Sequence, residues 1–257
     1  MPDLHLRLHD DTGDDLATPM PSEEEALRLL AEAEISAATL VPWGSNYTFA
    51  VALSSGNEDE EDLLGIYKPQ LGERPLWDFP DGTLYQREVA AYRLSRRLGW
   101  DIVPPTVVRE GPHGVGSLQL YIEPDDRHED DYEFWGRRDV AIERMVLFDH
   151  ITNNADRKLS HCLVATDGRV WGIDHGLTFN QEPKLRTVLW QFVGETISSP
   201  LRDDLERLLA EEAEVRADLA CHLASEEVDA FFERVRLLHE RGVYPRLSSR
   251  YNIPFGW

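Results

Sequence analysis

Two short segments carry the acidic side chains whose positions best suit catalysis. The first segment is DHITNNADRKLSHC, in which Asp156 and Arg157 come directly after an amphipathic run. An aspartate in a loop beyond a helix end can accept or orient the proton of a hydroxyl group. The second segment is WGIDHGLTF, in which Asp174 ends an apolar strand pattern, 18 residues after Asp156. A carboxylate there suits a hard divalent cation such as Mg²⁺, although either aspartate can also simply form a turn.

Three positions nearer the start of the chain carry groups that can bind phosphate. Gly44, Ser45 and Asn46 lie at a turn between two predicted strands, where backbone N–H groups can face phosphate oxygens. Lys68 ends an otherwise apolar strand, and Glu88 follows on a predicted helix. Each position also has a plain structural interpretation: a hairpin turn, a lysine that reaches solvent, and a surface carboxylate.

The order of these groups is more specific than any one of them. A glycine turn, a strand lysine, a helix glutamate, a loop aspartate and a strand-end aspartate are the components of phosphoryl transfer from ATP. In this hypothesis Lys68 holds phosphate oxygens and Glu88 positions the lysine. Asp156 orients the nucleophile, and Asp174 binds the metal ion that neutralises developing charge. The sequence therefore predicts an ATP-dependent kinase that uses Mg²⁺ or Mn²⁺.

The elements around these residues predict an α+β fold with two lobes. Strand and turn patterns over residues 38–123 enclose one helical pattern and predict a small antiparallel-sheet N-lobe. The second half is mainly helical, with a hairpin that turns at Asp167-Gly168. The predicted domains are an acidic N-terminus at 1–20, the N-lobe at 21–124 and a helical C-lobe at 125–257.

Three helix boundaries have recognisable sequence signals. Ser22 with Glu25 forms a capping box at the start of an apolar periodic run. Ser225 is in a position to cap a helix near the end of the chain, and Gly242 is placed to stop it.

Composition excludes several classes of function. The formal net charge is −22 over 257 residues, so the surface repels nucleic acid phosphates and anionic lipid head groups. The chain has no apolar run long enough to span a membrane, and its acidic start does not resemble a secretory signal. Its two cysteines, Cys162 and Cys221, do not make a disulfide framework. These features predict a cytoplasmic protein.

The motifs resemble those of atypical kinases, most closely the phosphatidylinositol 3/4-kinase-like bacterial proteins. The motifs are less similar to those of type II phosphatidylinositol 4-kinases and HipA toxin kinases, which resemble the chain more distantly. GSNYTFAV resembles the phosphate loop of these kinases, and IYKP resembles their ATP-lysine strand. DIVPPTVV resembles the strand after their first helix. DHITNNADRK resembles their catalytic loop, and IDHGLTF resembles their metal-binding segment. The resemblance covers about residues 40–195, and it implies a two-lobed atypical protein-kinase-like fold.

The resemblance also implies a role for each matching residue. The implied contacts to ATP come from Gly44, Ser45, Asn46, Lys68, Glu88, Gln119, Tyr121 and Glu123. The last three belong to a hinge that would meet adenine through its backbone. Asp156 would be the catalytic acid/base with Arg157 beside it, and Asp174 would bind Mg²⁺.

One position departs from the pattern of many kinases. They have an asparagine five residues after the catalytic aspartate, and this chain has His161 there. His161 can coordinate a metal, contact phosphate as a cation, or mark the absence of a second metal. A nucleotide-binding pseudokinase or scaffold is therefore an alternative function, and an AMP transferase on the same fold is another.

The acceptor is predicted to be a serine or threonine of a soluble protein, or a small molecule, in preference to a lipid. A lipid kinase usually carries a basic or amphipathic surface for anionic membranes, and this acidic chain has no such element. Lys184 and Arg186 form a small basic patch that either faces substrate or lies in a solvated loop.

Overall fold

The computed structural model describes residues 20–42, 46–54, 56, 61–128 and 131–255. The described helices are α1 (Glu23–Glu32), α2 (Leu84–Leu98), α3 (Tyr132–Trp135), α4 (Val140–Thr152), α5 (Ser199–Ala210), α6 (Glu212–Leu219) and α7 (Ser225–Arg241). The described strands are β1 (Glu34–Leu40), β2 (Phe49–Ser54), β3 (Leu63–Pro69), β4 (Thr106–Gly111), β5 (Gly114–Leu120), β6 (Cys162–Val164) and β7 (Val170–Gly172). The predicted α+β class is confirmed.

The chain divides into two compact units. The first contains the described residues up to Pro75 together with Pro105–Tyr121. The second contains Leu76–Pro104 and the described residues from Ile122 onward. The domain boundaries given above stay predictions. In the part of the chain that is described, no helix is both long and apolar enough to cross a membrane.

The first unit is a five-stranded antiparallel sheet with one helix. The strand order is β1-β2-β3-β5-β4, and α1 packs against β4 and β5. The hydroxyl of Ser22 accepts the N–H of Glu25, so the predicted helix start is confirmed. At the other end of α1, Nη1 of Arg109 donates to the carbonyl oxygens of Leu30 and Ala33, at 3.0 Å each. This bond pair ties the helix end to the sheet.

The two faces of the central strands differ in burial. Val51, Gly65 and Tyr67 alternate along β2 and β3 on one face, and the side chains of Val51 and Tyr67 are fully buried. On the other face, Ala50 of β2 lies opposite Ile66 of β3, and Ile66 is half-buried. Lys68 comes two residues after Ile66 along β3 and therefore lies on the same face. Apolar side chains thus flank the predicted ATP lysine.

The second unit is mainly helical, with the β6–β7 hairpin near its middle. Helix α4 is buried on nearly every side and packs against α7 and β7. The turn of the hairpin includes Gly168 with φ of 83°, as predicted from its sequence. Helix α7 ends at Gly242, whose φ is 60°, so that prediction is also confirmed.

The predicted start of α7 is wrong by one residue. Ala224 occupies the N-cap position, and Ser225 is already helical. The carboxylate of Glu227 accepts the N–H of Ala224 at 3.0 Å and satisfies the helix start in place of a serine hydroxyl. The same carboxylate pairs with Arg87 of α2. The carboxylate that caps this helix therefore also forms an ion pair with another helix.

Candidate active site

The predicted catalytic segment is a loop, residues 153–161, that follows α4. Asn153 ends the helix in the left-handed conformation, with φ of 55°, and the N–H of Asn154 donates to the carbonyl of Asp149. The side-chain oxygen of Asn153 accepts the N–H of Lys184, and its amide nitrogen donates to the carbonyl of Glu182. Both asparagines therefore hold backbone at the loop entrance, and Asn153 also fixes the segment that follows Asp174.

A buried ion pair supports this loop from inside. Nε of Arg157 lies 3.0 Å from Oδ2 of Asp149, and Nη2 lies 3.0 Å from Oδ1. Nη1 donates to the carbonyl oxygens of His161 and Ile173 at 2.8 and 3.1 Å. Burial works to lower the pKa of Arg157, but the charges of Asp149, Cys162 and Asp174 and the hydrogen bond to Asp149 together raise it.

Arg157 was predicted to lie beside the catalytic aspartate and take part in catalysis. Its side chain is 0% exposed, and its guanidinium is held by Asp149 and by backbone carbonyls. These contacts support a positioning role, and the predicted part of Arg157 in catalysis stays a prediction. Gly172 favours the arrangement, because a Cβ there would lie 3.3 Å from Nη2 of Arg157, a tight contact.

Asp156 lies on the accessible side of the same loop. Its carboxylate is 20% exposed, and Oδ2 lies 2.9 Å from Nζ of Lys158. Its N–H donates to the side-chain oxygen of Asn154 at 3.0 Å, which fixes the backbone of the loop. Burial raises the pKa of Asp156, while the hydrogen bond and charge of Lys158 oppose the rise. A carboxylate with a raised pKa is a better proton acceptor than an ordinary one.

Lys158 was not among the predicted site residues. The sequence feature that could have indicated this lysine is the DRK triplet, in which it comes two residues after the loop aspartate. The 3₁₀ turn Leu159–His161 follows it directly. The lysine therefore places a positive charge within hydrogen-bonding distance of the predicted acid/base.

The two predicted metal ligands lie close together. Nδ1 of His161 donates to the carbonyl of Asp156 at 2.8 Å, and Nε2 lies 3.3 Å from Oδ2 of Asp174. With its proton on Nδ1, a neutral imidazole presents a lone pair at Nε2. A lone pair and a carboxylate that face each other at this distance are stabilised by a proton or a cation between them. Within the described ranges, no group of three or more His, Cys, Asp or Glu side chains forms a metal site.

Asp174 has the backbone of a sharp turn. It comes two residues after the end of β7, and its φ of 59° lies in the left-handed region. Its side chain is 50% exposed. A strained conformation at an accessible carboxylate is typical of functional loops.

Glu88 supports the segment that contains Asp174. It is only 3% exposed, and its Oε2 accepts the N–H of His175 at 2.9 Å. The simple interpretation of Glu88 as a surface carboxylate is therefore wrong. Its predicted ion pair with Lys68 stays a prediction.

The remaining predicted ATP contacts have separate local environments. The side-chain amide of Gln119 donates to Oγ1 of Thr106 at 2.9 Å inside the sheet. The N–H of Tyr121 donates to the carbonyl of Leu64, and Glu123 is exposed. A hinge function for these residues stays a prediction.

The predicted phosphate turn is described only in part. Gly44 and Ser45 lie outside the described residues. The side-chain oxygen of Asn46 accepts the N–H of Arg74 at 2.9 Å, so this asparagine supports the chain beyond β3. The role of the turn in binding ATP stays a prediction.

A relative of known sequence shows the family of this chain. Protein Rv2133c of Mycobacterium tuberculosis is 36% identical over an alignment of 281 residues, which covers 93% of this chain and 97% of the relative. The chain belongs to the Rv2133c family. A scan against protein-family models found no match.

Solved structures of kinases share the fold. The Golgi casein kinase has a TM-score of 0.52 at 14% identity, with 88% of this chain and 79% of that chain covered. Hydra Fam20, solved with sugar, has a TM-score of 0.55 at 16% identity, with coverage of 84% and 87%. Helicobacter pylori CtkA, a proinflammatory kinase, has a TM-score of 0.53 at 10% identity, with coverage of 83% and 94%. The predicted atypical-kinase-like fold is thereby confirmed. Kinship with phosphatidylinositol 4-kinases and HipA stays a prediction.

Proposed function

We propose that this member of the Rv2133c family is a kinase. It would transfer the γ-phosphoryl group of ATP, with Mn²⁺ or Mg²⁺, to a hydroxyl of a soluble protein or small molecule. The kinase-like fold supports phosphotransfer in general. The observation that carries the specific proposal is the accessible, raised-pKa carboxylate of Asp156, joined through its own carbonyl to the His161–Asp174 pair.

Asp156 would act as the proton acceptor. As the acceptor oxygen attacks the γ-phosphorus, its proton would pass to the carboxylate of Asp156, and ADP would leave with the electrons of the broken bond. The raised pKa of Asp156 favours this transfer relative to an ordinary aspartate. Lys158, 2.9 Å from Oδ2, would place positive charge near the phosphoryl group as its negative charge redistributes.

Asp174 and His161 would hold the metal ion. A divalent ion bound there would neutralise charge on the phosphates. The donors fit such an ion, because metals of this class commonly use one or two protein ligands and complete their shell with substrate phosphates and water. An imidazole nitrogen is a softer ligand than Mg²⁺ usually selects, so this pair favours Mn²⁺. A structure of the Golgi casein kinase with TM-score 0.51 has Mn/ADP bound, which supports the same class of cofactors.

Lys68 would contact the phosphates of ATP. The support is its place at the end of β3, on the half-buried face that carries Ala50 and Ile66. The apolar side chains on that face suit contact with a flat adenine ring, and the lysine ammonium suits a phosphate. Glu88 would keep the metal segment in place through the N–H of His175.

A lipid acceptor is disfavoured by charge. The chain carries a net charge of −22, and kinases that work on anionic membranes need a basic or amphipathic contact surface. A protein hydroxyl or a small polyol carries no such requirement. We therefore propose one of these as the acceptor.

The test is a transfer assay with ATP labelled at either phosphorus. The full chain is incubated with Mn²⁺ or Mg²⁺, generic protein acceptors and a set of polyols, and with α- or γ-labelled ATP. Label from γ-ATP alone is the expected result. Label from α-ATP would assign AMP transfer, and ATP binding with no label transferred would assign a pseudokinase.

Lys68→Ala separates nucleotide handling from the chemistry at Asp156. We expect the variant to keep its fold and to lose at least about tenfold in kcat/KM for ATP, because a charge-assisted phosphate contact is removed. Glu34→Ala, an exposed charge change on β1 of the same sheet, is the matched control. Equal activity of both variants would remove Lys68 from the proposal.

A further inference from the structure

The second unit contains a cavity whose charge is opposite to that of the whole chain. Its volume is about 670 Å³, and it lies between the later part of α7 and the segment that follows Asp174. The cations in its lining are Lys184, Arg186, Arg234, Arg241 and Arg246. Glu233 is the one carboxylate among the described residues that line it. Nζ of Lys184 is paired with Oδ2 of Asp78 at 3.0 Å. The four arginines against one carboxylate, in a chain of net charge −22, still make a local site for anions.

Arg234 has an unmatched hydrogen-bond donor in this lining. Its Nε donates to the carbonyl of Ile151 at 2.9 Å, and Nη1 donates to the carbonyl of Asn180 at 3.1 Å. Nη2 is buried, and the described residues provide no partner for it. Burial lowers the pKa of Arg234 to about 10, so the group stays charged at neutral pH. Arg234 therefore adds a fixed positive charge to the wall of the cavity.

The other cavity residues define the size and body of the ligand. The lining includes Leu238, Val243 and Leu247, which offer apolar contact beside the cations. His150 also lines the cavity, but burial lowers its pKa to about 4, so it is neutral and adds no charge. The volume falls in the range of small-molecule sites. Arginine forks bind phosphate and carboxylate groups through paired hydrogen bonds.

We propose that this cavity binds a small organic anion, with phosphate or carboxylate groups on an apolar body. Lys184 and Arg186, the basic patch singled out from the sequence, line it, but none of the residues proposed above to bind ATP, hold the metal or accept the proton does. The site is therefore an addition to the proposed kinase function and does not depend on it. A cavity of this volume favours a small molecule over an extended acidic polypeptide.

The wall of the cavity is bonded to the 153–161 loop. Asn153 lines the cavity and accepts the N–H of Lys184 at 2.8 Å. Arg186 also lines it, and its N–H donates to the carbonyl of Asn154 at 2.8 Å. An anion held by Arg186 therefore acts on the same backbone that positions Asp156.

The test measures binding to the full chain without nucleotide, by calorimetry. The probes are 1-naphthyl phosphate, 1-naphthol and inorganic phosphate. We expect 1-naphthyl phosphate to bind at least about tenfold more tightly than either of the others, because only it offers both the anion and the apolar body. Its affinity should fall as salt is added.

The variant that tests the site changes two arginines of the lining whose side chains make no hydrogen bond to the described residues. Arg241→Gln with Arg246→Gln should weaken binding of 1-naphthyl phosphate by about tenfold or more, because two charge-assisted bonds are lost. Arg236→Gln is the matched control. It removes a charge from α7 at a residue that pairs with Glu212 and does not line the cavity.

The results distinguish this site from the proposed ATP site. Lys68→Ala should bind 1-naphthyl phosphate as the wild type does. Loss of binding in Lys68→Ala with retention in the double arginine variant would overturn the proposal. Equal affinity of the double variant and the Arg236→Gln control would also overturn it, and so would absence of binding at millimolar 1-naphthyl phosphate.

Discussion

The inner and the outer side of the 153–161 loop each carry a carboxylate–cation pair, and the two pairs serve different purposes. On the inner side, Asp149 and Arg157 form a carboxylate–cation pair that is 0–1% exposed. On the outer side, Asp156 and Lys158 form a similar pair that is 20–30% exposed. The two cations are adjacent in the chain. Burial, and not residue type, therefore decides which pair shapes the loop and which is available for chemistry.

The difference has a clear energetic basis. A buried charge that loses its partner cannot be solvated. Breaking the inner pair therefore leaves the Asp149 carboxylate buried and unpaired, which lowers the stability of the folded chain. An exposed pair is screened by water and contributes little to stability. The inner pair should thus control folding, while the outer pair should control turnover.

The largest effect is expected from Arg157→Met. It leaves Asp149 buried and unpaired and should lower the free energy of unfolding by about 3–5 kcal/mol, with activity lost as a consequence. Urea denaturation measures the change. Adding Asp149→Leu should restore part of the stability, because the isolated charge is then removed as well. A stable Arg157→Met chain would show that the inner pair does not support the loop.

Asp156→Ala should separate activity from folding. We expect kcat to fall by about 10²- to 10⁴-fold, the range for loss of a general base. The free energy of unfolding at neutral pH should not fall, because burial already disfavours the ionised carboxylate. Asp203→Ala, an exposed aspartate on α5, is the control. Transfer rates and urea curves on both proteins give the comparison.

His161→Asn should change the metal preference. An amide oxygen is a harder ligand than an imidazole nitrogen, so the ratio of activity with Mg²⁺ to that with Mn²⁺ should rise by about tenfold. The measurement is the transfer rate over a series of each metal concentration. An unchanged ratio would mean that His161 does not touch the metal.

The smallest effect is expected from Lys158→Met. Lys158 opposes the rise in the pKa of Asp156, so its removal should move that pKa further upward. The base must be deprotonated, so activity should be lost at a higher pH than in the wild type as the solution is acidified. A pH profile of kcat/KM measures this. Stability should change by less than about 1 kcal/mol, in contrast to Arg157→Met.

The fold was largely predictable because most of its signals are local. Ser22 and Gly242 act on the backbone within one helical turn, and both predictions were confirmed. Ser225 failed because the carboxylate of Glu227, which also pairs with Arg87 of α2, caps the helix in its place. Arg87 is 140 residues from Glu227, and no local pattern reports such a pair.

The site was predictable in its residue types but not in its layout. The proximity of His161 to Asp174 could be anticipated from the motifs that contain them. The burial of Glu88 could not, because its partner is a backbone N–H 87 residues away. Arg157 and Lys158 look equivalent in the sequence, and only the packing of α4 reveals that one points inward.

Gly172 has a consequence for how this protein can diverge. A Cβ at position 172 would lie 3.3 Å from Nη2 of Arg157, closer than most such contacts. An alanine there requires a shift of a few tenths of an ångström, and every further atom of a larger side chain has to share the same space. Tolerance for substitution at position 172 therefore depends on how far the buried Asp149–Arg157 pair can yield without moving the loop that carries Asp156.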